Sequence, residues 1–266
     1  MEIPFYKYQG TGNDFVIIDN REQQYLSRQD HEVVERLCDR KFGVGADGLM
    51  LLQNSQDYDF EMVYFNADGY EGSMCGNGGR CIVAFAHFLG AIGDECRFIA
   101  VDGPHDAKVL PSGWVELKMV DVAEVEEGDG FYFLDTGSPH YVAFCPDVAQ
   151  LDVVGEGRAI RYSDRFKAEG TNVNFVEKTA DQLIVATYER GVEDETLSCG
   201  TGVTAAALAA SLRNGKELEV SNGVTDIQAK GGKLQIKFAK TSQGFENIWL
   251  CGPATQVFQG TITIDT

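Results

Sequence analysis

The feature that most constrains this chain is an internal repeat built around two cysteines. Cys75 opens the stretch MCGNGGRCIVAFAHFLG, and Cys199 opens SCGTGVTAAALAASLRNG. Each Gly-rich start runs directly into an apolar segment of helical character. Tyr64 precedes Cys75 by the same 11 residues that separate Tyr188 from Cys199. The correspondence continues in order along the chain. Thr11–Val16 parallels Thr136–Val142 with one inserted residue, and Gly45–Leu49 parallels Gly170–Asn174. Asp59–Tyr64 parallels Leu183–Tyr188, and Trp114–Met119 is matched to Lys233–Phe238. One such match is compatible with coincidence; an ordered series at a nearly constant offset means duplication. Two similar lobes follow, residues 1–120 carrying Cys75 and residues 121–253 carrying Cys199. A C-terminal strand over about 254–266 is expected to return to the first lobe. The acidic run EVEEGDG between the halves reads as a turn or linker.

Within each half the pattern alternates between strand and helix. FVIIDN, GLMLLQ, FEMVYF and WVELKM are rich in branched and aromatic residues and predict strands. HEVVERLCDRK predicts an amphipathic helix, entered from Ser27 as its cap. CIVAFAHFL is apolar nearly all round, as is AALAASL in the second half, so each predicts a buried central helix. Gly90 and Gly215 are the expected helix stops. The predicted fold class is α/β of the α+β kind: two lobes, each a mostly antiparallel sheet around a central helix, with the active site in the cleft between them. A mixed open sheet with helices on both faces is the alternative.

Charge and cysteine usage exclude several functions. The formal net charge of −19 argues against nucleic acid and anionic membrane surfaces, which need clustered Lys and Arg. No apolar run approaches a membrane span, and the first residues lack signal-peptide architecture. The 7 cysteines are scattered and odd in number, unlike a disulfide framework. A reduced, cytoplasmic setting is expected.

Gly43-Val44-Gly45-Ala46-Asp47-Gly48 satisfies G-x-G-x-x-G, yet helix precedes it and strand follows. The dinucleotide fingerprint needs the reverse order, so a turn near a ligand is the better reading. Cys75 and Cys81 are not spaced as a zinc pair, and Cys199 has no nearby Cys or His, so no metal is expected. A single Cys in a Gly-rich turn is simply a buried small side chain. Two in matched frames suggest chemistry, because a helix N-terminus favours the thiolate and uncovered backbone N–H groups bind anions. Two thiols facing one carbon could remove a proton from one side and return it on the other, as a racemase or epimerase requires. Asn13, Asn66, Asn172 and Arg190 would supply donors for a polar zwitterion, Arg190 as a bidentate clamp. His140 and Glu189 would tune the thiol pKa values.

At these residues the chain resembles the diaminopimelate epimerase family. The resemblance spans essentially all 266 positions. It rests on Gly-Thr-Gly-Asn-Asp-Phe at 10–15, the Gly-rich 43–48, Phe-Asn-Ala-Asp-Gly at 65–69 and Met-Cys-Gly-Asn-Gly-Gly-Arg-Cys at 74–81. Asn-Val-Asn-Phe at 172–175, Tyr-Glu-Arg-Gly at 188–191 and Ser-Cys-Gly-Thr-Gly at 198–202 complete it. The resemblance implies an isomerase that interconverts L,L- and meso-diaminopimelate on the route to lysine and peptidoglycan precursors, without pyridoxal phosphate, metal or other cofactor. Cys75 and Cys199 would be the acid/base thiols, with His140 and Glu189 behind them. Asn13, Asn66, Gly76, Asn77, Asn172, Glu189, Arg190, Gly200 and Thr201 would hold the amino-acid substrate, and the protein would be a homodimer. Two positions depart from the family pattern. Ser138 stands where Asn is frequent, and Gly48 where some members have Gln; both count among the expected substrate contacts. A proline or hydroxyproline racemase of the same plan and a non-catalytic amino-acid-binding module are the alternatives.

Overall fold

A computed structural model describes residues 1–213 and 221–264, and the chain divides into two compact units, Met1–Leu117 with Gly252–Thr266, and Lys118–Cys251. The first unit contains β1 (Glu2–Gly10), β2 (Asn13–Asp19), α1 (His31–Cys38), β3 (Gly48–Gln53), β4 (Glu61–Asn66), α2 (Gly76–Phe88), β5 (Glu95–Ala100), β6 (Gly103–Val109) and β7 (Trp114–Lys118). The second contains β8 (Val125–Glu127), β9 (Phe131–Asp135), β10 (Pro139–Phe144), α3 (Val153–Arg161), β11 (Asn172–Lys178), β12 (Leu183–Glu189), β13 (Asp194–Thr196), α4 (Gly200–Arg213), β14 (Ser221–Ala229), β15 (Gly232–Thr241) and β16 (Gly244–Pro253). The last strand, β17 (Thr255–Thr263), pairs with β1 of the first unit.

Strand pairing shows the duplication in full. In the first unit the ladder runs β17-β1-β2-β3-β4-β5-β6-β7, parallel at β2–β3 and β4–β5 and antiparallel elsewhere. In the second it runs β8-β9-β10-β11-β12-β14-β15-β16, parallel at β10–β11 and β12–β14 and antiparallel elsewhere. Strand β13 is an additional partner of β12; its place in the first unit is held by the bridge Phe65–Glu71. Three expectations change. The counterpart of β15 is β6, so Trp114–Met119 corresponds to β16 and not to Lys233–Phe238. Part of the acidic linker is strand β8, leaving Gly128–Gly130 as the turn, with Gly130 at φ +81°. An edge strand tolerates such charge because its outer side faces water, and Glu126 pairs there with Arg165 at 2.6 Å. Ser27 does not cap α1. The residue before the helix is Asp30, which turns back to accept from the Ser27 backbone N–H at 2.6 Å and the Ser27 hydroxyl at 2.8 Å.

The central helices are enclosed because their sequences are mostly apolar all round; in α2 the exceptions, Asn77 and Arg80, are buried with hydrogen-bond partners. In α2 every residue from Gly76 to Val83 is buried, along with Phe85 and Ala86. It packs against β1, β2, β3, β6 and β17. In α4 the run from Val203 to Ala210 is buried, and the helix packs against β9, β10, β11, β12, β14 and β15. Its alanines combine high helix propensity with a narrow profile. Sheet strands between two layers are apolar on both faces. Val16 and Ile18 of β2 pack outward with Val34 and Leu37 of α1, while Phe15 turns inward, its ring 3.5 Å from where a Cβ on Gly78 would sit.

Helix α2 ends as Gly90 predicts. Gly90 N–H donates to His87 and Ala91 N–H to Ala86, both at 2.9 Å, with Gly90 at φ +68°. This is the Schellman arrangement. The expected stop at Gly215 lies outside the described residues. Space around Gly90 is open, so Gly90→Ala meets only backbone strain. It should lower unfolding free energy by about 1 kcal/mol in urea titration, with Gly90→Asn losing less.

Candidate active site

In the first unit the thiol stands at the helix start. Cys75 is the N-cap of α2, at φ −108° and ψ 135°, and its carbonyl accepts the first helical bond from Gly79 at 2.8 Å. The Cys75 Sγ lies 3.5 Å from Asn13 Oδ1. Asn77 Nδ2 donates to the same oxygen at 3.4 Å. Asn13 Nδ2 donates to Asp47 Oδ2 at 2.7 Å, and Asp47 pairs with Arg40 at 2.8 Å. Asp14 joins this cluster through Arg40 and Lys7, each at 2.7 Å. Burial opposes Asp14 ionisation, but hydrogen bonds from Arg40 and Lys7 outweigh it and hold its carboxyl well below the usual range. Below Asn77, the fully buried Arg80 donates to Asn77 Oδ1 at 3.1 Å, Thr11 Oγ1 at 3.3 Å and the Gly76 carbonyl at 3.2 Å. Thr11 and Gly12 form the tight β1–β2 turn, with φ of +51° and +89°.

Asn66 sits exposed at the end of β4, its side chain over Gly72. Gly48 has a packing role. A Cβ there would lie 2.6 Å from both the Tyr64 ring and the Phe65 carbonyl. Tyr188 occupies the matching frame in the second unit but does something different. It is fully buried under Gly157 of α3, and its hydroxyl donates to Glu193 at 2.9 Å.

In the second unit Cys199 immediately precedes α4 and is buried. Its sulfur lies 3.4 Å from Thr201 Oγ1. Thr201 Oγ1 is 3.3 Å from Ser138 Oγ, and Ser138 Oγ is 3.1 Å from His140 Nε2. Asn174 Nδ2 lies 3.1 Å from His140 Nδ1. Hydroxyls therefore connect His140 to Cys199. Asn172 donates to Ser138 Oγ and the Pro139 carbonyl, each at 3.2 Å, and accepts the Arg190 backbone N–H at 2.9 Å. The Arg190 side chain is exposed and donates to the Glu169 carbonyl at 3.0 Å. Glu189 ends β12 opposite Asp194. Burial raises its carboxyl pKa. Gly76 and Gly200 are the buried first residues of the two helices.

Asn13, Asn77 and Cys75 thus converge in one unit, and Ser138, His140, Asn172, Thr201 and Cys199 in the other. Sequence reasoning placed Asp47 in a turn near a ligand but missed its pairing with Arg40, and it missed Arg80, Thr11, Asn174 and Thr187, whose hydroxyl donates to Asn174 Oδ1 at 2.9 Å. Asn174 carried a signal. It stands two residues after Asn172 on a strand, hence on the same face.

A family model described as Diaminopimelate epimerase matches residues 5–123 and 132–257. The chain belongs to the diaminopimelate epimerase family. A diaminopimelate epimerase from Flavobacterium psychrophilum is 52% identical over 97% of this chain and 99% of its own length. One from Chlorobaculum tepidum is 46% identical over 96% and 99%. Among solved structures, a phenazine biosynthesis protein of the PhzF family from Bacillus anthracis aligns at TM-score 0.75 and 14% identity, covering 99% of this chain and 100% of that one. A hydroxyproline epimerase from Agrobacterium vitis aligns at 0.66 and 14%, covering 100% and 93%. These two likenesses show the fold alone.

His140 is wholly buried, and burial followed by the Arg190 charge pushes its pKa down to about 3. The folded protein keeps it neutral where the unfolded chain, near 6.5, binds a proton. Stability is therefore lost as pH falls from about 6.5 towards 3. His140→Gln should flatten that part of the stability curve, measured as urea midpoint against pH.

Proposed function

We propose that this protein interconverts L,L- and meso-diaminopimelate without a cofactor, using Cys75 and Cys199 as the acid/base pair. The observation that carries the reading is a sulfur at the start of a central helix in each half of a chain aligned with the family almost end to end. In each half the helix is buried, so its first N–H groups point into a low-dielectric surround where they act strongly on negative charge.

The step balances simply. One cysteine, as thiolate, takes the α-proton and becomes a thiol. The electron pair left on carbon is delocalised into the carboxylate, where backbone N–H groups at the helix starts stabilise the growing charge. The other cysteine, as thiol, delivers its proton to the opposite face and becomes the thiolate. For the reverse reaction the two exchange roles. Asn13, Asn66, Asn77, Asn172, Thr201 and Arg190 are assigned to substrate binding, Arg190 as the carboxylate clamp. Ser138 is shorter than the Asn frequent in the family, and its hydroxyl is already engaged with His140, Asn172 and Thr201. His140, Glu189 and Ser138 are assigned to the support of Cys199. A homodimer and a reduced, cytoplasmic setting belong to the same proposal; sedimentation equilibrium tests the first.

Cys75→Ala and Cys199→Ala should each reduce epimerisation by about 10²–10⁴-fold, the usual worth of a positioned acid or base. Each variant should still exchange the α-proton of one stereoisomer with heavy water, because one thiol remains. Full epimerase activity in either variant would exclude the two-thiol scheme. Faster turnover of proline or hydroxyproline than of diaminopimelate would favour the racemase alternative. Substrate binding without deuterium entering the α-position would favour a binding module.

A further inference from the structure

Strands β12 and β13 are joined by the turn Arg190–Glu193, across which Glu189 pairs with Asp194. Glu193 has φ +60°; among the described residues, only Thr11 and Asn247 also have positive φ without being glycine. A side chain in the left-handed region crowds its own backbone, so glycine is the usual residue there. The first unit follows that rule. Gly69 stands five residues after Tyr64, as Glu193 stands five after Tyr188, and Gly69 has φ +83°. The second unit keeps a charged side chain at this spacing and bears the strain. Such strain persists only where surrounding contacts impose it, and it concentrates at functional sites.

The imposing contacts all reach the Glu193 carboxylate, which folds back across the turn. The buried Tyr188 hydroxyl donates to Oε2 at 2.9 Å, and Gly191 N–H donates to Oε1 at 3.1 Å. Arg161 of α3 forms an ion pair with Oε1 at 3.5 Å. Each of these neighbours is a donor or a cation, so an acceptor-only carboxylate suits all of them at once. Burial opposes its ionisation, but bonds from Gly191, Tyr188 and Tyr162 and the charge of Arg161 outweigh it and hold the carboxyl below its usual range. The backbone closes the same turn, Glu193 N–H donating to the Glu189 carbonyl at 2.8 Å.

This brace adjoins Arg190. A Cβ on Gly170 would lie 2.6 Å from Arg190 Cδ and 2.8 Å from Arg161 Cζ, so the two arginine side chains meet over one glycine. Two guanidinium groups placed so closely repel each other unless one is neutralised. Glu193 neutralises Arg161 and pins Gly191, the residue that follows Arg190. Among the described residues the Arg190 guanidinium donates to the Glu169 carbonyl and to no carboxylate. Its charge is left for an anion. We propose that Glu193 is a positioning residue that fixes the Arg190 guanidinium for a carboxylate of the substrate. The assignment of Arg190 to that carboxylate rests on the functional reading above, while the brace itself does not. Glu189 is held independently by its pairing with Asp194, so the brace bears on binding more than on turnover.

Glu193→Gly removes the carboxylate while leaving the left-handed backbone accessible, so the turn can still form. In the full chain its KM for diaminopimelate should rise about 10-fold, the scale of one hydrogen bond to a charged group, with kcat within about 3-fold of wild type. In an Arg190→Met background the same substitution should leave KM where Arg190→Met puts it, because the brace acts through that side chain. An unchanged KM in Glu193→Gly, or a rise that adds in full to that of Arg190→Met, overturns the proposal. Hydrogen exchange reads the brace without substrate. The Gly191 amide, bonded to Glu193 in the wild type, should exchange about 10-fold faster or more in Glu193→Gly. Unchanged exchange overturns the brace. Faster exchange in a protein that turns over no diaminopimelate sinks the functional reading and leaves the brace standing.

Discussion

Everything at the candidate site depends on the burial of two short apolar helices whose first residues are glycine. A helix apolar all round must be enclosed, and a sheet strand apolar on both faces must lie between two layers. In each unit these demands meet when the sheet curls over the central helix and an outer helix covers the other side. Burying the helix also buries its N-terminus. The N–H groups there have no partner within the helix, and the Gly-rich starts keep side chains out of the way. A cysteine just before such a start sits where its anion is favoured.

Duplication gave both units this arrangement, and divergence then separated them. Around Cys75 the polar support is ionic, with Asp14, Asp47, Arg40 and Lys7 behind Asn13. Around Cys199 it is neutral, running through Thr201, Ser138, His140 and Asn174. Tyr64 and Tyr188 diverged in the same manner. One covers Gly48 beside the strand ends, while the other supports α3. A repeat conserves backbone frame more readily than side-chain environment, because pairing and helix burial need only pattern, whereas a polar network needs each partner in place.

Much of the architecture was legible because it depends on local pattern. FVIIDN, GLMLLQ and FEMVYF became β2, β3 and β4, and Gly90 ended α2 by the predicted geometry. The failures have physical reasons. Trp114–Met119 resembles Lys233–Phe238 since alternating strands of similar length share one period and carry little else to tell them apart; only the hydrogen-bond ladder shows that β15 corresponds to β6. Val125–Glu127 looked like linker because its charges suit solvent as well as an edge strand. Ser27 is an acceptable cap residue in isolation, but it lies three residues before Asp30, the residue that precedes α1, and its hydroxyl and N–H are taken by the Asp30 carboxylate.

The sequence alone determined the residue types at the two helix starts, the duplication that placed a thiol at each, and the set of amides and hydroxyls available nearby. These follow from composition and spacing, which need no partner to be read. The tertiary structure decided which of those groups meet and in which direction each hydrogen bond points. An asparagine can present either end of its amide, and a serine can donate or accept. Only neighbours brought from distant strands, such as Thr187 and the Asp47 carboxylate, remove that freedom.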